Sequence, residues 1–265
     1  MRKSFFLPLV FCFGYALQAQ TDSIQYFTSF DGAKIAYQVK GEGEPVLLVH
    51  GFIVNGETWK RTAVYTDLLN AGYKVIILDQ RGNGRSDKPH TDEAYANDAE
   101  AKDIMGLMKK IGVKKYNVVG YSRGSIITAR LLVLDKNVKR AVLGGIGTGF
   151  TDPEWPRRKM FYRALMGDSV PELAAMVKNV QASELDQQAL AYLQKYQPST
   201  SKEALASVTQ PVLVLCGTED TDHEEAKELS NIFRHGSFGS MPGDHGAAVR
   251  TKEFSEQVVA FFKSR

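Results

Sequence analysis

The segment YNVVGYSRGSIITARLLVL, residues 116–134, predicts how this chain folds. A short apolar run at residues 117–120 is followed by a helix-like run from residue 124, and the pentad Gly-Tyr-Ser-Arg-Gly joins the two. The pentad matches the G-x-S-x-G pattern, in which a sharp strand-to-helix turn exposes the serine hydroxyl. Glycines on both sides permit the close chain approach that such a turn needs. We therefore predict that Ser122 is a nucleophile; the alternative is that it only caps the helix that follows.

Apolar runs of the kind that form strands buried on both faces recur along the chain. They lie at residues 46–49, 74–78, 117–120, 140–143 and 211–216. Helix-like stretches alternate with them at residues 58–70, 97–111, 123–134, 222–233 and 252–262. An Asp31-Gly32 turn between two alternating stretches, residues 24–30 and 34–39, predicts a hairpin at the start. This alternation predicts an α/β fold with a mostly parallel, doubly wound sheet.

One interval interrupts the alternation. About 60 residues, 147–210, separate two strand-like runs where a crossover usually needs far fewer. Helix-like stretches at residues 172–180 and 185–196 predict that the interval forms a small helical cap. With 265 residues in total, we expect one core made of residues 21–146 and 211–265, with the cap inserted at 147–210.

The first twenty residues, MRKSFFLPLVFCFGYALQAQ, have the layout of a signal peptide. Arg2 and Lys3 precede an apolar run of about 13 residues, which is short for the roughly 30 Å of a membrane core. No other stretch reaches 18 apolar residues, so we expect no transmembrane segment. Cleavage after Ala19 or Gln20 and export to the periplasm or the medium are expected; a buried N-terminal helix is the alternative.

Composition and charge limit the possible partners. The chain is 43% hydrophobic and 24% charged, which excludes disordered and collagen-like classes. Its formal net charge of +3 falls to +1 if Arg2 and Lys3 leave with the signal peptide, so we expect no nucleic acid partner. Loss of Cys12 would leave Cys216 as the only cysteine and no intramolecular disulfide. No cluster of histidines and cysteines has metal-site spacing.

A serine hydroxyl becomes a good nucleophile only when a base takes its proton and a carboxylate orients that base. Five histidines are available, at positions 50, 90, 223, 235 and 245. Only His245 lies in a loop between the last short strand and the final helix, at the same edge of the sheet as Ser122. It also follows the serine in the chain, as enzymes with this type of turn require, and we predict that it is the base.

The carboxylate is expected in the loop after the penultimate strand, where three acidic residues lie. Asp220 is the preferred candidate and Glu219 is the alternative. Asp222 stands three residues before Glu225 at a helix start, a spacing typical of a capping box, so we assign it a structural role. Asp244 is the neighbour of His245 in sequence and is poorly placed to hold its ring.

Acyl transfer also needs donors for a developing oxyanion. The N–H of Arg123 directly follows the nucleophile. The second donor is expected from the loop after the third strand, His50-Gly51-Phe52, and we predict the N–H of Phe52.

Five motifs in order resemble the α/β-hydrolase superfamily, in the branch with a short helical cap after the sixth strand. They are HGF at 50–52, DQRGNGRSDKP at 79–89, GYSRG at 120–124, CGTED at 216–220 and the late His245. The resemblance spans residues 24–265 and implies an eight-stranded sheet in which residues 79–89 are structural. It also implies hydrolysis of a carboxylic ester or related acyl bond of a small molecule through acyl-Ser122, without metal or cofactor. A serine nucleophile argues against dehalogenase and epoxide hydrolase activity, since those relatives form an ester on a carboxylate.

Other interpretations remain open at this point. A protein of this fold can keep the triad and act as a ligand receptor or carrier. A C–C bond hydrolase, an aminopeptidase and a perhydrolase would use the same three residues. The glycine-rich run at residues 144–149 is not followed by a helix, so a dinucleotide site is not expected. Residues 157–159, Arg-Arg-Lys, predict a solvated helix face, with contact to an acidic substrate as the alternative. Aromatic cap residues could line a pocket or pack the cap: Trp155, Phe161, Tyr162 and Tyr192.

Overall fold

A computed structural model describes residues 23–264 of the chain. These residues form one eight-stranded sheet with the strand order β1-β2-β4-β3-β5-β6-β7-β8. The strands are β1 Gln25–Thr28, β2 Lys34–Lys40, β3 Pro45–Val49, β4 Lys74–Leu78, β5 Tyr116–Tyr121, β6 Val138–Gly144, β7 Val212–Gly217 and β8 Gly236–Met241. The signal peptide expected at residues 1–20, with cleavage near Ala19, lies outside the described residues.

The sheet is antiparallel at its start and parallel elsewhere. Strand β2 pairs antiparallel with β1 and with β4, and the pairs from β3 to β8 are all parallel. Strand β5 is buried along its whole length, as expected for a parallel strand that is covered on both faces. The predicted doubly wound sheet, which the family resemblance extends to eight strands, is therefore confirmed.

Helices cover both faces of the sheet. They are α1 Ala63–Asn70, α2 Ala99–Lys110, α3 Arg123–Leu134, α4 Pro156–Leu165, α5 Ala174–Gln181, α6 Gln187–Lys195, α7 Lys202–Ala206, α8 His223–Ile232 and α9 Lys252–Lys263. Apolar residues of α2, α3 and α8 pack with one face of the central strands. Helices α1 and α9 pack on the other face. Two separate cores therefore fix the parallel strands from both sides, so that their carboxyl ends share one edge.

The first predicted helix, residues 58–70, is divided in the structure. A 3₁₀ turn at Gly56–Arg61 precedes α1, and Thr62 between them is extended, with φ −111° and ψ 150°. The Thr62 N–H and hydroxyl both donate to the carbonyl oxygen of Trp59, at 3.0 and 2.6 Å. These bonds end the first turn, and α1 begins at the next residue, which apolar periodicity alone does not reveal.

Four helices, α4 to α7, lie between β6 and β7. The sequence pattern indicated helix near α5 and α6 and a helix face at residues 157–159 within α4, but it did not indicate α7. Helices α4, α5 and α6 contribute to a third apolar cluster, which includes Leu165, Val180 and Leu193. Tyr95, in the long loop between β4 and α2, joins this cluster and stacks on Tyr192 with ring centroids 5.4 Å apart. The inserted helices therefore have their own small core.

The loop after β4 is built around a buried arginine. The Arg81 side chain is 0% exposed and donates twice to the Asp103 carboxylate, both bonds at 2.7 Å. It also donates to Asp31 at 2.8 Å. The Asp79 carboxylate accepts the N–H groups of Gly56 and Arg85, each at 2.8 Å. These bonds hold residues 79–89 in a fixed turn.

Across residues 23–264, none of the helices combines the length and the apolar character that a membrane crossing requires.

Replacement of Asp103 tests how much the buried Arg81–Asp103 ion pair contributes to the free energy of unfolding. We expect Asp103→Asn to lower the free energy of unfolding by about 3 kcal/mol, because it removes the charge that compensates a buried guanidinium. The measurement is urea unfolding followed by circular dichroism. Asp168→Asn is the matched control, since Asp168 pairs with Arg163 on the surface, where about 0.5 kcal/mol is expected. Equal losses in the two variants would contradict the assignment.

Candidate active site

Ser122 lies between the end of β5 and the start of α3. Its backbone has φ 54° and ψ −123°, a conformation that residues with a side chain rarely adopt. Although Ser122 immediately precedes the helix, its hydroxyl makes no capping hydrogen bond. Its N–H donates to the carbonyl oxygen of Gly144 at 2.7 Å. The strained turn therefore leaves the hydroxyl available for other partners.

The two glycines of the pentad have steric reasons to be glycine. A Cβ on Gly124 would lie 2.2 Å from the carbonyl oxygen of Val49, and a Cβ on Gly120 would lie 2.4 Å from that of Gly124. Real Cβ atoms do not come this close to backbone, so no larger residue fits. Helix α3 can thus start against the carboxyl ends of β3 and β5.

The structure brings Ser122, His245 and Asp220 together. The Nε2 atom of His245 is 2.9 Å from the Oγ atom of Ser122. Its Nδ1 atom is 2.8 Å from Oδ2 of Asp220. These distances join the three residues in the order required to activate a serine hydroxyl: nucleophile, base and orienting carboxylate.

Local hydrogen bonds hold the loop that carries His245. The carboxylate of Asp244 accepts the N–H groups of Gly246 and Ala247 at 2.9 and 2.8 Å. The Tyr121 hydroxyl donates to the His245 carbonyl oxygen at 2.7 Å, and the two rings lie 5.5 Å apart. Asp244 therefore shapes the turn, while a different carboxylate orients the ring.

Asp220 and His245 shift each other's pKa. The hydrogen bond to Asp220 raises the pKa of His245, against the opposing effect of burial. Burial favours the neutral form of Asp220, but its hydrogen bonds with His245 and with the Asp222 N–H outweigh it and lower the pKa of this carboxyl. Asp220 thus stays ionised and strengthens His245 as a proton acceptor.

The other two acidic candidates after β7, Glu219 and Asp222, are not hydrogen-bonded to the His245 ring. Glu219 is exposed, and only its N–H is tied down, by the carbonyl oxygen of Gly243. The capping box expected for Asp222 is wrong: its side chain makes no capping bond, because φ −90° and ψ 5° differ from the extended conformation of an N-cap. Its two carboxylate oxygens instead accept from Arg157 at 2.6 and 2.7 Å. Arg157 is therefore not solely part of a solvated face.

Three of the other four histidines have structural partners, and the fourth, His235, is exposed. His50 is buried, and its Nε2 accepts the N–H of Gln80 at 3.0 Å. His90 is 2.8 Å from Asp186 of the inserted helices. The Nδ1 of His223 is 2.8 Å from the carbonyl oxygen of Gly217. None of these contacts involves Ser122, so His245 alone among the described histidines meets the serine.

The loop after β3 lies directly against the serine. A Cβ on Gly51 would be 3.3 Å from the Cβ of Ser122, and Phe52 and Arg123 both line a cavity that contains Ser122. Within residues 23–264, neither the Phe52 N–H nor the Arg123 N–H has a hydrogen-bond partner. Two backbone donors are thus available near the Ser122 hydroxyl.

The side chain of Arg123 has a role that the sequence did not indicate. It donates to both carboxylate oxygens of the buried Glu100, at 2.7 and 2.5 Å, and to the carbonyl oxygen of Leu193 in α6 at 2.9 Å. These partners lie 23 and 70 residues away in the chain, so no local pattern reveals them. The residue after Ser122 therefore ties α3 to α2 and to the inserted helices.

Two cavities meet at Ser122 and His245. The α4–α6 cavity, of about 230 Å³, lies against the inserted helices and is lined by Trp155, Arg157, Arg158, Phe161, Gln194 and Gln197. The β3-loop cavity, of about 410 Å³, is lined on its other side by Val54, Trp59, Val249 and Arg250. Trp155 and Phe161 thus face a cavity, whereas Tyr162 and Tyr192 pack in the third apolar cluster. A substrate can extend to both sides of the serine.

Among the described residues 23–264, no three histidine, cysteine or acidic side chains lie close enough together to hold a metal ion. Cys216 is 1% exposed, and burial raises the pKa of its thiol to about 12. Its neighbour Asp220 adds to this shift. The thiol is therefore kept protonated beside the site.

The fold and this site together define an α/β hydrolase. A family model described as "alpha/beta hydrolase fold" matches residues 44–196, more than half of the chain, and the chain belongs to this family. An esterase from Rhodococcus sp. ECU1013 has a similar structure, with TM-score 0.69 and 27% identity over 91% of this chain and 99% of that one. The matched family region includes Ser122 but ends before Asp220 and His245.

Curated relatives differ in name and in coverage. A Synechocystis protein named as a candidate non-heme chloroperoxidase is 39% identical over 41% of this chain, and the chain spans only 39% of its length. The (E)-2-((N-methylformamido)methylene)succinate hydrolase of Acinetobacter baylyi is 27% identical over 76% of this chain and 82% of its own. The family assignment thus comes from the match over residues 44–196, and these relatives match the chain to differing extents.

Removal of the Asp220 charge tests the coupling within the site. We expect the pKa of His245 to lie above its usual value near 6.5, and to fall in Asp220→Asn, because the carboxylate stabilises the imidazolium. The measurement is NMR titration of the His245 ring. Asp244→Asn serves as the control, since its carboxylate bonds backbone N–H groups and not the ring. An unchanged His245 titration in Asp220→Asn would contradict the geometry.

Proposed function

We propose that this protein is an exported serine hydrolase that cleaves a carboxylic ester or a related acyl bond through an acyl-Ser122 intermediate. The observation that carries the proposal is the continuous hydrogen-bonded series from Ser122 Oγ through His245 to Asp220, with distances of 2.9 and 2.8 Å. Its position between two cavities gives a substrate access to the serine.

In the first step, the Ser122 oxygen attacks the substrate carbonyl while His245 Nε2 takes the hydroxyl proton. The carbonyl oxygen gains a negative charge as the tetrahedral intermediate forms. The N–H groups of Phe52 and Arg123 are the proposed donors to this oxyanion, and the start of α3 adds the favourable end of a helix dipole. Asp220 stabilises the imidazolium without accepting its proton.

Collapse of this intermediate breaks the bond to the leaving group, which takes the proton from His245 Nε2. The acyl group remains on the Ser122 oxygen. A water molecule then attacks the acyl carbon and gives its proton to His245, and a second collapse releases the acid and restores the serine hydroxyl. In this scheme one cavity holds the acyl group and the other holds the leaving group.

Formation of a peroxy acid at the same serine is a second candidate. Hydrogen peroxide would replace water as the nucleophile on acyl-Ser122, and a peroxy acid would leave as the serine regains its proton. The observation that favours it is the 39% identity with a protein named as a candidate chloroperoxidase, because peroxy acids oxidise halides. Peroxide-dependent bromination of a dye in the presence of acetate, compared between wild type and Ser122→Ala, tests this candidate.

Labelling with a fluorophosphonate tests the nucleophile. We expect the wild-type chain to gain one adduct by intact mass and to hydrolyse p-nitrophenyl esters, and Ser122→Ala to lose both properties. A loss of 10³-fold or more in kcat is expected, roughly that of other triads without their nucleophile.

Ser125→Ala is the matched control. The hydroxyl of Ser125 only donates to the Gly144 carbonyl oxygen, which also accepts the Ser122 N–H, so labelling and hydrolysis should persist. A wild-type chain that binds small acyl compounds but shows neither labelling nor turnover would favour a receptor or carrier.

Export is the part of the proposal that depends on residues 1–20. Expression of the full chain in a bacterial host with a secretion pathway should give a periplasmic or secreted product whose mass corresponds to cleavage near Ala19. Replacement of Arg2 and Lys3 by glutamate should retain the uncleaved chain in the cytoplasm. An uncleaved cytoplasmic product from the unaltered sequence would refute export.

A further inference from the structure

Two consecutive arginines of α4 line the α4–α6 cavity, and they differ in their partners. Arg157 is paired with the carboxylate of Asp222 through two hydrogen bonds. Arg158 donates only to carbonyl oxygens, those of Gln197 at 3.3 Å and of Pro153. Within residues 23–264, no carboxylate lies within ion-pair distance of the Arg158 guanidinium. Its positive charge is thus not balanced by a neighbouring side chain.

Two buried glutamines lie on the same wall of the cavity. Gln194 and Gln197 are each 5% exposed and both line the α4–α6 cavity. In the described part of the chain, their side-chain amides have no hydrogen-bond partner, although the backbone oxygen of Gln197 accepts from Arg158. Because both residues border the cavity, their amide atoms remain accessible to water or to a ligand inside it. These groups are therefore positioned to bond to something that enters the cavity.

Among the described side chains around this wall, Arg158 is the arginine without a carboxylate partner. Asp222 is neutralised by Arg157, and Arg123 by the buried Glu100. The Asp220 carboxylate is hydrogen-bonded to the His245 ring and to the N–H of Asp222, so its charge is already stabilised by those groups. A guanidinium fork beside carboxamide donors is the arrangement that binds a carboxylate with two oxygens.

We infer that the α4–α6 cavity binds a carboxylate carried by the substrate itself, with Arg158 as its charged partner and Gln194 and Gln197 as additional donors. This inference rests on the proposed function, since the carboxylate is carried by a molecule whose acyl bond Ser122 cleaves. The substrate class is then a half ester, or a comparable acyl derivative, of a short dicarboxylic acid. A neutral polar group at this position would leave the Arg158 charge unmatched.

The test compares substrates that differ only in this charge. The p-nitrophenyl half esters of glutaric and adipic acid are measured beside the same compounds with the second carboxyl methylated, with rates in Ser122→Ala subtracted. For the wild type we expect kcat/KM to be at least tenfold higher for the half esters, mainly through KM. In Arg158→Met this preference should fall by on the order of tenfold to a hundredfold, as expected for a hydrogen bond between charged groups.

Matched variants separate recognition from general damage. Arg163→Met removes another arginine of α4, one that pairs with Asp168 on the surface and does not line the cavity, and it should keep the wild-type preference. Arg158→Lys should restore part of the preference. Gln194→Met and Gln197→Met, which keep side-chain volume, should each lower it several-fold, and they supply the test if Arg158→Met does not fold.

The possible outcomes are distinct. Equal rates for half esters and methylated esters in the wild type would overturn the inference and leave the proposed hydrolase intact. A preference that survives in Arg158→Met would overturn the assignment to that residue. Absence of both turnover and fluorophosphonate labelling would instead refute the proposed function. If Ser122 is labelled but neither ester turns over, adipate should slow labelling in the wild type and not in Arg158→Met; no protection would overturn the inference.

Discussion

Gly124 lies so close to the end of β3 that a Cβ there would be 2.2 Å from the Val49 carbonyl oxygen. The rest of the candidate site depends on this approach, because it lets α3 begin directly after Ser122 while the loop after β3 passes beside that residue. One short stretch of chain then supplies the Ser122 hydroxyl, the Arg123 N–H and the positive end of a helix. The strained backbone of Ser122, with φ 54°, persists because its neighbours on both sides are fixed.

The parts of this structure that the sequence predicts best are those with local signals. Strand Lys74–Leu78 and helix Arg123–Leu134 have the predicted bounds, because an uninterrupted apolar run and a glycine-bounded turn each act over a few residues. Asp220 and His245, which the structure places beside Ser122, were candidates in the sequence for a different reason. Both follow strands near the end of the chain, and the carboxyl ends of parallel strands meet at one edge of the sheet.

The other features of the site depend on contacts between residues that are far apart in the chain, so the sequence alone could not predict them. Asp222 pairs with Arg157, 65 residues earlier, and not with the helix it precedes, because the backbone at Asp222 is not extended. The spacing of acidic residues suggests a capping box there, but only backbone conformation decides whether one forms. On the wall of the α4–α6 cavity, the sequence raised Trp155, Phe161 and residues 157–159 as candidates, but it gave no sign of Gln194 and Gln197. Their neighbours are set by how the inserted helices pack, which depends on a small core of their own.

The bond from Arg123 to the Leu193 carbonyl oxygen limits how this protein can diverge. Leu193 belongs to the inserted helices, and Arg123 is 4% exposed, so loss of that carbonyl would leave one N–H of a buried guanidinium without an acceptor beside Ser122. The insertion is therefore not an exchangeable module, although loops at this position are the natural place for variation. Side chains that face the cavity do not take part in this bond, whereas any other arrangement of the inserted helices would have to supply Arg123 with another acceptor.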